Sequence, residues 1–433
     1  MHHHDLIGIG FGPSNIALAI SLRENPAVAA PVNMLFIEKQ PAFAWHRHMM
    51  LNHAHMQISF LKDLATLRNP QSRFTFINYL HEQGRLPDFI NLKSFFPSRR
   101  EFNDYLCWAA GQFTDHCAYG EEVVDVLPQH SSGPIELLRV RSRDGSGQVH
   151  ERLTRNLVVS VGGEPRIPTC FEALAGDSRV FHSNSYLQAI ASHSQARKIA
   201  IIGGGQSAAE IFIDLHNHPS KPDVDLILRG RAIRPSDDSP FVNEVFNAEF
   251  TDYMFNQPED ERAALLREFR HTNYAAPDLE LIQQIFKVFY EQKVTGPVRH
   301  RMQCRHEVRA AQAHPQGVSL TLSDLDGEAV ADVQYDVVIL ATGYNRASHQ
   351  RLLSSLAPQL GSIEVDRDYR VLSKSDLRAR IFLQGACESS HGLSDTLLSV
   401  TALRTMEIAG ALDLGARSVP DRTREPERAL QPN

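Results

Sequence analysis

The chain has few cysteines and no close cysteine pair. Its 433 residues include five cysteines, and no two of them form a Cys-x-x-Cys motif. This spacing excludes a zinc module and a disulfide framework. It also excludes the flavoprotein disulfide reductases, which need a close redox-active pair. We therefore expect free thiols and a reducing, cytoplasmic location.

Long apolar runs and excess positive charge are also absent. No apolar run reaches the ~18 residues that a membrane span needs. The chain carries 44 basic and 51 acidic residues, for a formal net charge of -7, which argues against a nucleic-acid partner. The start, "MHHHDLIGIGFGPSN", leads directly into a predicted strand, so we predict no signal peptide. We expect the three histidines to be disordered, and we predict no metal site.

Two segments share a pattern of strand, glycine-rich turn and helix: "HDLIGIGFGPSNIALAISL" and "RKIAIIGGGQSAAEIFIDL". In such turns the glycines let the backbone approach a pyrophosphate, and the helix N-terminus supplies free N–H groups and a positive dipole. This context predicts two dinucleotide-binding sites. The positions concerned are Gly8, Gly10, Gly12 and Pro13 in the first turn, and Gly203, Gly205, Gln206 and Ser207 in the second.

The residue that ends the next strand distinguishes the two sites. Glu38 ends the strand after the first turn, and an acid there accepts hydrogen bonds from ribose hydroxyls. Arg229 holds the corresponding position after the second turn, where an arginine suits a 2′-phosphate. The sequence therefore predicts FAD or NAD at the first site and NADP at the second.

The predicted architecture is α/β, with two Rossmann-like units and a small helical insertion that binds substrate. We expect the FAD-binding unit to be discontinuous, at 1–165 and 335–415, because buried strands end in small residues near both crossings. The NADPH-binding unit would comprise 166–238 and 299–334, with the helical insertion at 239–298. The charged, proline-bearing tail, 416–433, is predicted to be disordered.

Several longer motifs carry a resemblance to a known family. The stretches "GIGFGPSN", "MQISFLKDLATLRNP", "IIGGGQSAAE", "DDSPFVNEVF", "HTNY", "ILATGY" and "HGLSDTLLSV" resemble those of flavin-dependent N-hydroxylating monooxygenases. Within them the chain looks most like bacterial L-ornithine N5-hydroxylases of siderophore biosynthesis, of the pyoverdine-pathway type. The likeness extends from about residue 5 to about residue 415.

The resemblance implies a reaction. NADPH would reduce FAD, the flavin would react with O2, and a C4a-hydroperoxyflavin would transfer one oxygen to the side-chain amine of L-ornithine. The cofactors would be FAD and NADPH, and the assembly a homo-oligomer such as a tetramer. Such a site must hold the amine close to the flavin and exclude water.

The resemblance also implies roles for individual residues. Lys62 would pair with the substrate carboxylate, Asn243 would bind the amino-acid head, and Leu397 and Ser399 would lie near the substrate amino groups. Gln57 and Met56 would lie beside the flavin, with Trp45 and His46 also near the FAD. Asn273 would hold the nicotinamide half of NADP, with Tyr274 next to it. Gln57 and Asn273 are thus the candidate catalytic residues.

Alternatives remain open from the residues alone. Lys62 could be a solvated surface charge, Asn243 a turn or cap residue, and Ser399 a helix hydroxyl that bonds its own backbone. The same chemistry could act on L-lysine or a diamine, since one methylene is worth only ~1–3 kcal/mol of discrimination. A flavoprotein redox sensor or an NADPH oxidase is the non-hydroxylating alternative.

A related fingerprint, Phe-x-Gly-x-x-x-His, is typical of flavin monooxygenases that attack ketones. The nearest stretch here, "LAGDSRVFHSNSY", has His182 and Tyr186 but places the glycine, Gly176, two positions early. This departure favours N-hydroxylation over ketone oxygenation.

Overall fold

The computed structural model describes residues 2–26, 31–130, 133–274, 276–327 and 330–414. The predicted disordered tail, 416–433, lies outside the described residues. In chain order the strands are β1 (His2–Ile9), β2 (Met34–Glu38), β3 (Cys117–Tyr119), β4 (Glu121–Pro128), β5 (Leu138–Asp144), β6 (Val149–Val159), β7 (Glu164–Pro165), β8 (Val180–His182), β9 (Lys198–Ile202), β10 (Asp223–Leu228), β11 (His300–Cys304), β12 (His306–His314), β13 (Gly317–Asp324), β14 (Val330–Tyr335), β15 (Val337–Leu340), β16 (Tyr344–Asn345) and β17 (Arg380–Leu383).

The α-helices are α1 (Pro13–Glu24), α2 (Phe76–Glu82), α3 (Leu86–Leu92), α4 (Arg99–Gly111), α5 (Tyr186–Ala191), α6 (Gln206–Asn217), α7 (Ala248–Phe255), α8 (Glu259–Glu268), α9 (Leu279–Thr295), α10 (Ser348–Leu352), α11 (Ala357–Leu360), α12 (Glu388–His391) and α13 (Thr401–Ala411). Short 3-10 turns lie at Arg47–Met49, Thr114–His116, Thr169–Leu174, Ser183–Ser185, Val242–Phe246, Phe269–Thr272, Ser354–Leu356 and Leu393–Thr396.

The first sheet carries the first glycine turn. Its strands lie in the order β3-β2-β1-β6-β5-β4, and β17 also pairs with β6. Strands β1, β2, β3, β6 and β17 run parallel, whereas β4, β5 and β6 form an antiparallel meander. The residues of β1 from Leu6 to Ile9 are buried, as expected for a parallel strand covered on both faces.

The second sheet, in the order β11-β10-β9-β15-β8, is parallel throughout and carries the second glycine turn. Helices α6 and α9 pack on it through a shared apolar core that includes Phe212 and Ile285. A separate antiparallel sheet, β12-β13-β14, contributes a third core. The parallel strands in both of the larger sheets, with their covering helices, confirm the predicted α/β class.

Three details of the predicted organisation are wrong. Strand β15 pairs with β8 and β9, so the chain returns to the first sheet after residue 340 rather than at 335. Helix α9 belongs to the core of the second sheet, which limits the separate helical part to the region of α7 and α8. The amino-terminal histidines extend β1 and pair with β6 from His2 to His4, because the strand continues beyond its buried portion.

In the part of the chain that the structure describes, no helix is both long and apolar enough to cross a membrane. The five cysteines are free thiols.

Candidate active site

The first glycine turn connects the end of β1 to the start of α1. Gly10 has φ of +84°, and a Cβ there would lie 2.6 Å from the carbonyl oxygen of Ser160, so only glycine fits. Gly12 precedes the helix, and a Cβ there would meet no atom within 4 Å. No side chain caps this N-terminus, where Pro13 occupies the first turn. The N–H groups of the first turn therefore have no cap from the residue before the helix, which suits a pyrophosphate.

A buried asparagine, Asn15, to which the sequence motifs gave no role, holds this turn in place. The Asn15 amide donates to the carbonyl of Gly10 at 2.7 Å. Its carbonyl oxygen accepts from the Ser160 hydroxyl and from the Gln384 amide, both at 3.1 Å. Asn15 thus joins the ends of β1, β6 and β17. In the sequence, only its position at the end of the motif "GFGPSN" pointed to this residue.

Glu38 lies beside this turn and is mostly buried. Its carboxylate accepts from the backbone N–H of Phe11 and from that of Gln40, one on each oxygen and each at 2.8 Å. Each carboxylate oxygen can accept a further bond, so a ribose hydroxyl can still be bound. The arrangement fits the adenosine half of FAD.

The second glycine turn joins β9 to α6. Gly203 has φ of +140°, and a Cβ there would lie 2.3 Å from the Ala341 carbonyl oxygen. Gly205 precedes the helix, again without a side-chain cap. Ser207 is half-buried in the first turn of the helix. The Gln206 amide, in contrast, donates hydrogen bonds to the carboxylates of Glu210 at 2.9 Å and Asp278 at 3.0 Å.

Arg229 follows β10 directly and is exposed. On the same loop, Arg231 pairs with Asp326 at 3.0 Å, as does Arg305. Among the described residues Arg229 has no such acidic partner. Within the described part of the chain its guanidinium is therefore available to a 2′-phosphate.

Lys62 is a half-buried cation near an aromatic ring. Its ammonium nitrogen lies 5.9 Å from the centre of the Phe246 ring, a contact that the sequence did not indicate. Burial lowers the pKa of Lys62. Within the described ranges no carboxylate of the protein forms an ion pair with it. An anionic ligand would supply the missing charge.

Asn243 lies in the same 3-10 turn as Phe246. Its side-chain amide donates to the carbonyl of Asp238 at 2.8 Å, so the nitrogen stabilises the local turn while the side-chain oxygen remains available. The turn contacts the 3-10 turns 269–272 and 393–396. Three segments that are distant in sequence therefore meet near Lys62.

Ser399 carries a buried hydroxyl that lacks a hydrogen-bond partner in the described structure. Only 2% of the residue is exposed. The alternative that this hydroxyl bonds its own backbone is therefore wrong, and the hydroxyl is available to a ligand. Leu397, two residues earlier, is half-buried.

Tyr274 anchors the segment that contains Asn273. Its hydroxyl donates to the carboxylate of Glu388 and lies 3.4 Å from the Thr396 hydroxyl. Burial, with Glu388 close by, raises the pKa of Tyr274 to about 12, so it stays protonated. Asn273 is half-buried next to it.

The remaining predicted flavin contacts lie in the segment between β2 and α2. Trp45 is half-buried, and its backbone N–H donates to the Asn103 side chain at 3.0 Å. His46 has a left-handed backbone, with φ of 49°. Met56 is buried, whereas Gln57 is exposed and donates to Asp278 at 3.1 Å.

A buried ion pair fixes the segment before Ser399. The Arg404 guanidinium lies 3.0 Å from the Asp395 carboxylate and also donates to the Ser14 hydroxyl at 3.0 Å. Asp395 accepts in turn from the backbone N–H of Cys387 at 2.6 Å. This pair joins the segment 393–399 to the first glycine turn.

Comparisons with known proteins agree with this geometry. Residues 2–346 match the family model for L-lysine 6-monooxygenase/L-ornithine 5-monooxygenase. The chain is 51% identical over 413 residues to an L-ornithine N(5)-monooxygenase of Pseudomonas aeruginosa, covering 94% of this chain and 93% of the relative.

Solved structures give the same result. An ornithine hydroxylase from Pseudomonas aeruginosa superposes with a TM-score of 0.92 at 51% identity, covering 95% of this chain and 98% of that one. An ornithine N-hydroxylase from Kutzneria sp. 744, described with reduced FAD, NADP+ and L-ornithine, gives a TM-score of 0.90 at 37% identity, with coverages of 95% and 99%. An L-lysine 6-monooxygenase from Pseudomonas syringae gives 0.83 at 33% identity, with coverages of 95% and 99%.

Proposed function

The chain belongs to the L-lysine 6-monooxygenase/L-ornithine 5-monooxygenase family, and we propose that it hydroxylates the side-chain amine of L-ornithine with FAD, NADPH and O2. The product is N5-hydroxyornithine, a precursor of hydroxamate siderophores. The observation that carries the choice of an amino-acid substrate is Lys62, a half-buried cation without an acidic partner among the described residues.

The substrate is oriented by three groups of the protein. Lys62 binds the α-carboxylate, and the side-chain oxygen of Asn243 is available to the amino-acid head. The orphaned hydroxyl of Ser399 meets a substrate amino group. Holding an amine in one position converts its encounter with the oxidant into an intramolecular step.

The cofactors supply the chemistry when they are bound: NADPH provides the hydride, and FAD carries the electrons to O2. The first glycine turn and Glu38 bind the FAD, while the second turn and Arg229 bind the NADPH. Tyr274, held by Glu388, fixes the segment of Asn273 against the segment 393–396.

A homo-oligomer, such as a tetramer, and a cytoplasmic location complete the proposal. Free thiols at all five cysteines support a reducing compartment.

Ornithine is favoured over the alternatives by two observations. A diamine has no carboxylate for Lys62 to bind. The identity to an ornithine enzyme, 51%, exceeds the identity to a lysine enzyme, 33%.

The test is NADPH-dependent formation of hydroxylamine, measured in parallel on L-ornithine, L-lysine, putrescine and cadaverine, with H2O2 measured in the same reactions. We expect hydroxylamine from ornithine, and little from the others. Hydroxylation of lysine alone would overturn the substrate assignment. Consumption of NADPH with H2O2 and without hydroxylamine on any amine would favour the NADPH oxidase alternative.

A further inference from the structure

Asp278 occupies the position before α9 where an aspartate usually caps the helix. Such a residue normally accepts a bond from a backbone N–H in the first turn. Here the side chain makes no cap bond. Its carboxylate instead accepts from the Gln57 amide at 3.1 Å and from the Gln206 amide at 3.0 Å, one on each oxygen.

The two glutamines belong to the two cofactor sites. Gln57 lies on the segment predicted to flank the flavin, 221 residues from Asp278 in the chain. Gln206 is the first residue of α6, at the second glycine turn. Its side-chain oxygen also accepts from the backbone N–H of Asp278 at 3.0 Å. The carboxylate therefore connects both sites to the start of α9.

The connection continues through an ion pair. Gln206 also donates to Glu210, whose carboxylate is held by Arg99 at 2.7 and 2.9 Å. Arg99 is the first residue of α4, which packs against α1 and α2 and belongs to the apolar core of the first sheet. One continuous set of side-chain contacts thus runs from Gln57 through Asp278, Gln206 and Glu210 to Arg99.

We propose that Asp278 is a positioning residue for hydride transfer, which holds the flavin-side Gln57 and the second glycine turn at a fixed separation. This inference rests on the proposed function. Two donors face Asp278, so a group with two acceptor oxygens is required. An asparagine would present its own N–H groups to one of the glutamines. The Gln206 amide nitrogen donates to both Glu210 and Asp278. Its N–H groups are therefore occupied, and this side chain stabilises the site rather than donating to a cofactor.

The test compares Asp278→Asn with Glu280→Gln, which neutralises an exposed acid two residues away. Because a small misplacement of reacting groups costs up to about a hundredfold in rate, we expect Asp278→Asn to slow anaerobic flavin reduction by NADPH about ten- to hundredfold. Glu280→Gln should stay near wild type. The KM for ornithine should also change little, since Lys62 and Ser399 are untouched.

Two further measurements separate positioning from general stability. Isothermal titration of the oxidised holoenzyme with NADP+ should show weaker binding in Asp278→Asn, and Asp278→Glu, which keeps both oxygens, should restore part of the loss. In a double-mutant cycle, Gln57→Ala should add little to Asp278→Asn.

Reduction at the wild-type rate in Asp278→Asn, or strict additivity with Gln57→Ala, would overturn the inference. If Asp278→Asn loses its FAD, Asp278→Glu takes its place in the cycle. Failure of the wild type to hydroxylate ornithine would overturn the proposed function alone, because flavin reduction is measured without an amine.

Discussion

The ammonium nitrogen of Lys62 lies 5.9 Å from the centre of the Phe246 ring, although the two residues are far apart in the chain. The ring covers one side of a cation that lacks an acidic partner among the described residues. A cation that is partly desolvated and unpaired costs free energy, and a bound carboxylate recovers it. This relationship underlies the first prediction.

Replacement of Lys62 should weaken substrate binding specifically. Loss of a charge-assisted bond is worth about 1.5–3 kcal/mol, so the KM for ornithine should rise about ten- to a hundredfold in both Lys62→Ala and Lys62→Met. Lys62→Met keeps the stem that packs near Phe246, which separates charge from packing. Flavin reduction by NADPH should remain normal, and Lys293→Met, on an exposed face of α9, is the control. An unchanged KM would show that Lys62 is a surface charge that does not bind the substrate.

Ser399→Ala should reduce activity without reducing stability. The hydroxyl is buried and unpaired within the described structure, so its removal eliminates a desolvated polar group. We expect an unchanged or higher melting temperature and a kcat/KM for ornithine about tenfold lower. Ser160→Ala, which removes a hydroxyl bonded to Asn15 and Gln384, should lower the melting temperature instead. Destabilisation of Ser399→Ala with normal kinetics would contradict the ligand contact.

Arg229→Ala should abolish the preference for NADPH over NADH. The exposed guanidinium is available for the 2′-phosphate, and its loss should reduce the ratio of the two kcat/KM values about tenfold or more. Arg231→Ala is the matched control, because Arg231 already pairs with Asp326 on the same loop. If the preference survives in Arg229→Ala, the phosphate contact lies elsewhere.

The protein should lose stability as the pH falls from 6.5 towards 4. Burial lowers the pKa of His300 from 6.5 to about 4. The backbone N–H of Val224 donates to its Nδ1, so the Nε2 proton donates to His216. At pH 5 the His300 side chain is protonated in the unfolded chain and neutral in the folded chain. This difference should lower the free energy of unfolding by about 2 kcal/mol relative to neutral pH.

Urea unfolding across this pH range tests the histidine. His300→Asn, which keeps an acceptor for Val224, should show a shallower fall in the free energy of unfolding than wild type. The control His314→Gln replaces an exposed histidine, and its free energy of unfolding should fall as steeply as that of wild type. Equal slopes in His300→Asn and wild type would assign the acid sensitivity to other groups.

The sequence by itself determined the local features of this protein. The glycine turns, the acid at the end of β2 and the arginine after β10 follow from backbone geometry within a few residues, and the local sequence pattern is sufficient to find them. The longer motifs identified the family. The domain boundaries were less accurate, because β15 and α9 are apolar elements whose patterns do not state which sheet they join.

Only the tertiary structure decided which distant residues meet. Gln57 and Asp278, Tyr274 and Glu388, and Lys62 and Phe246 are brought together by the packing of separate units. The lack of a partner for the Ser399 hydroxyl in the described part of the chain is likewise invisible in sequence, since it depends on every neighbour of the atom. Hydrogen bonds and burial are properties of pairs and surroundings, whereas a sequence pattern describes one segment at a time.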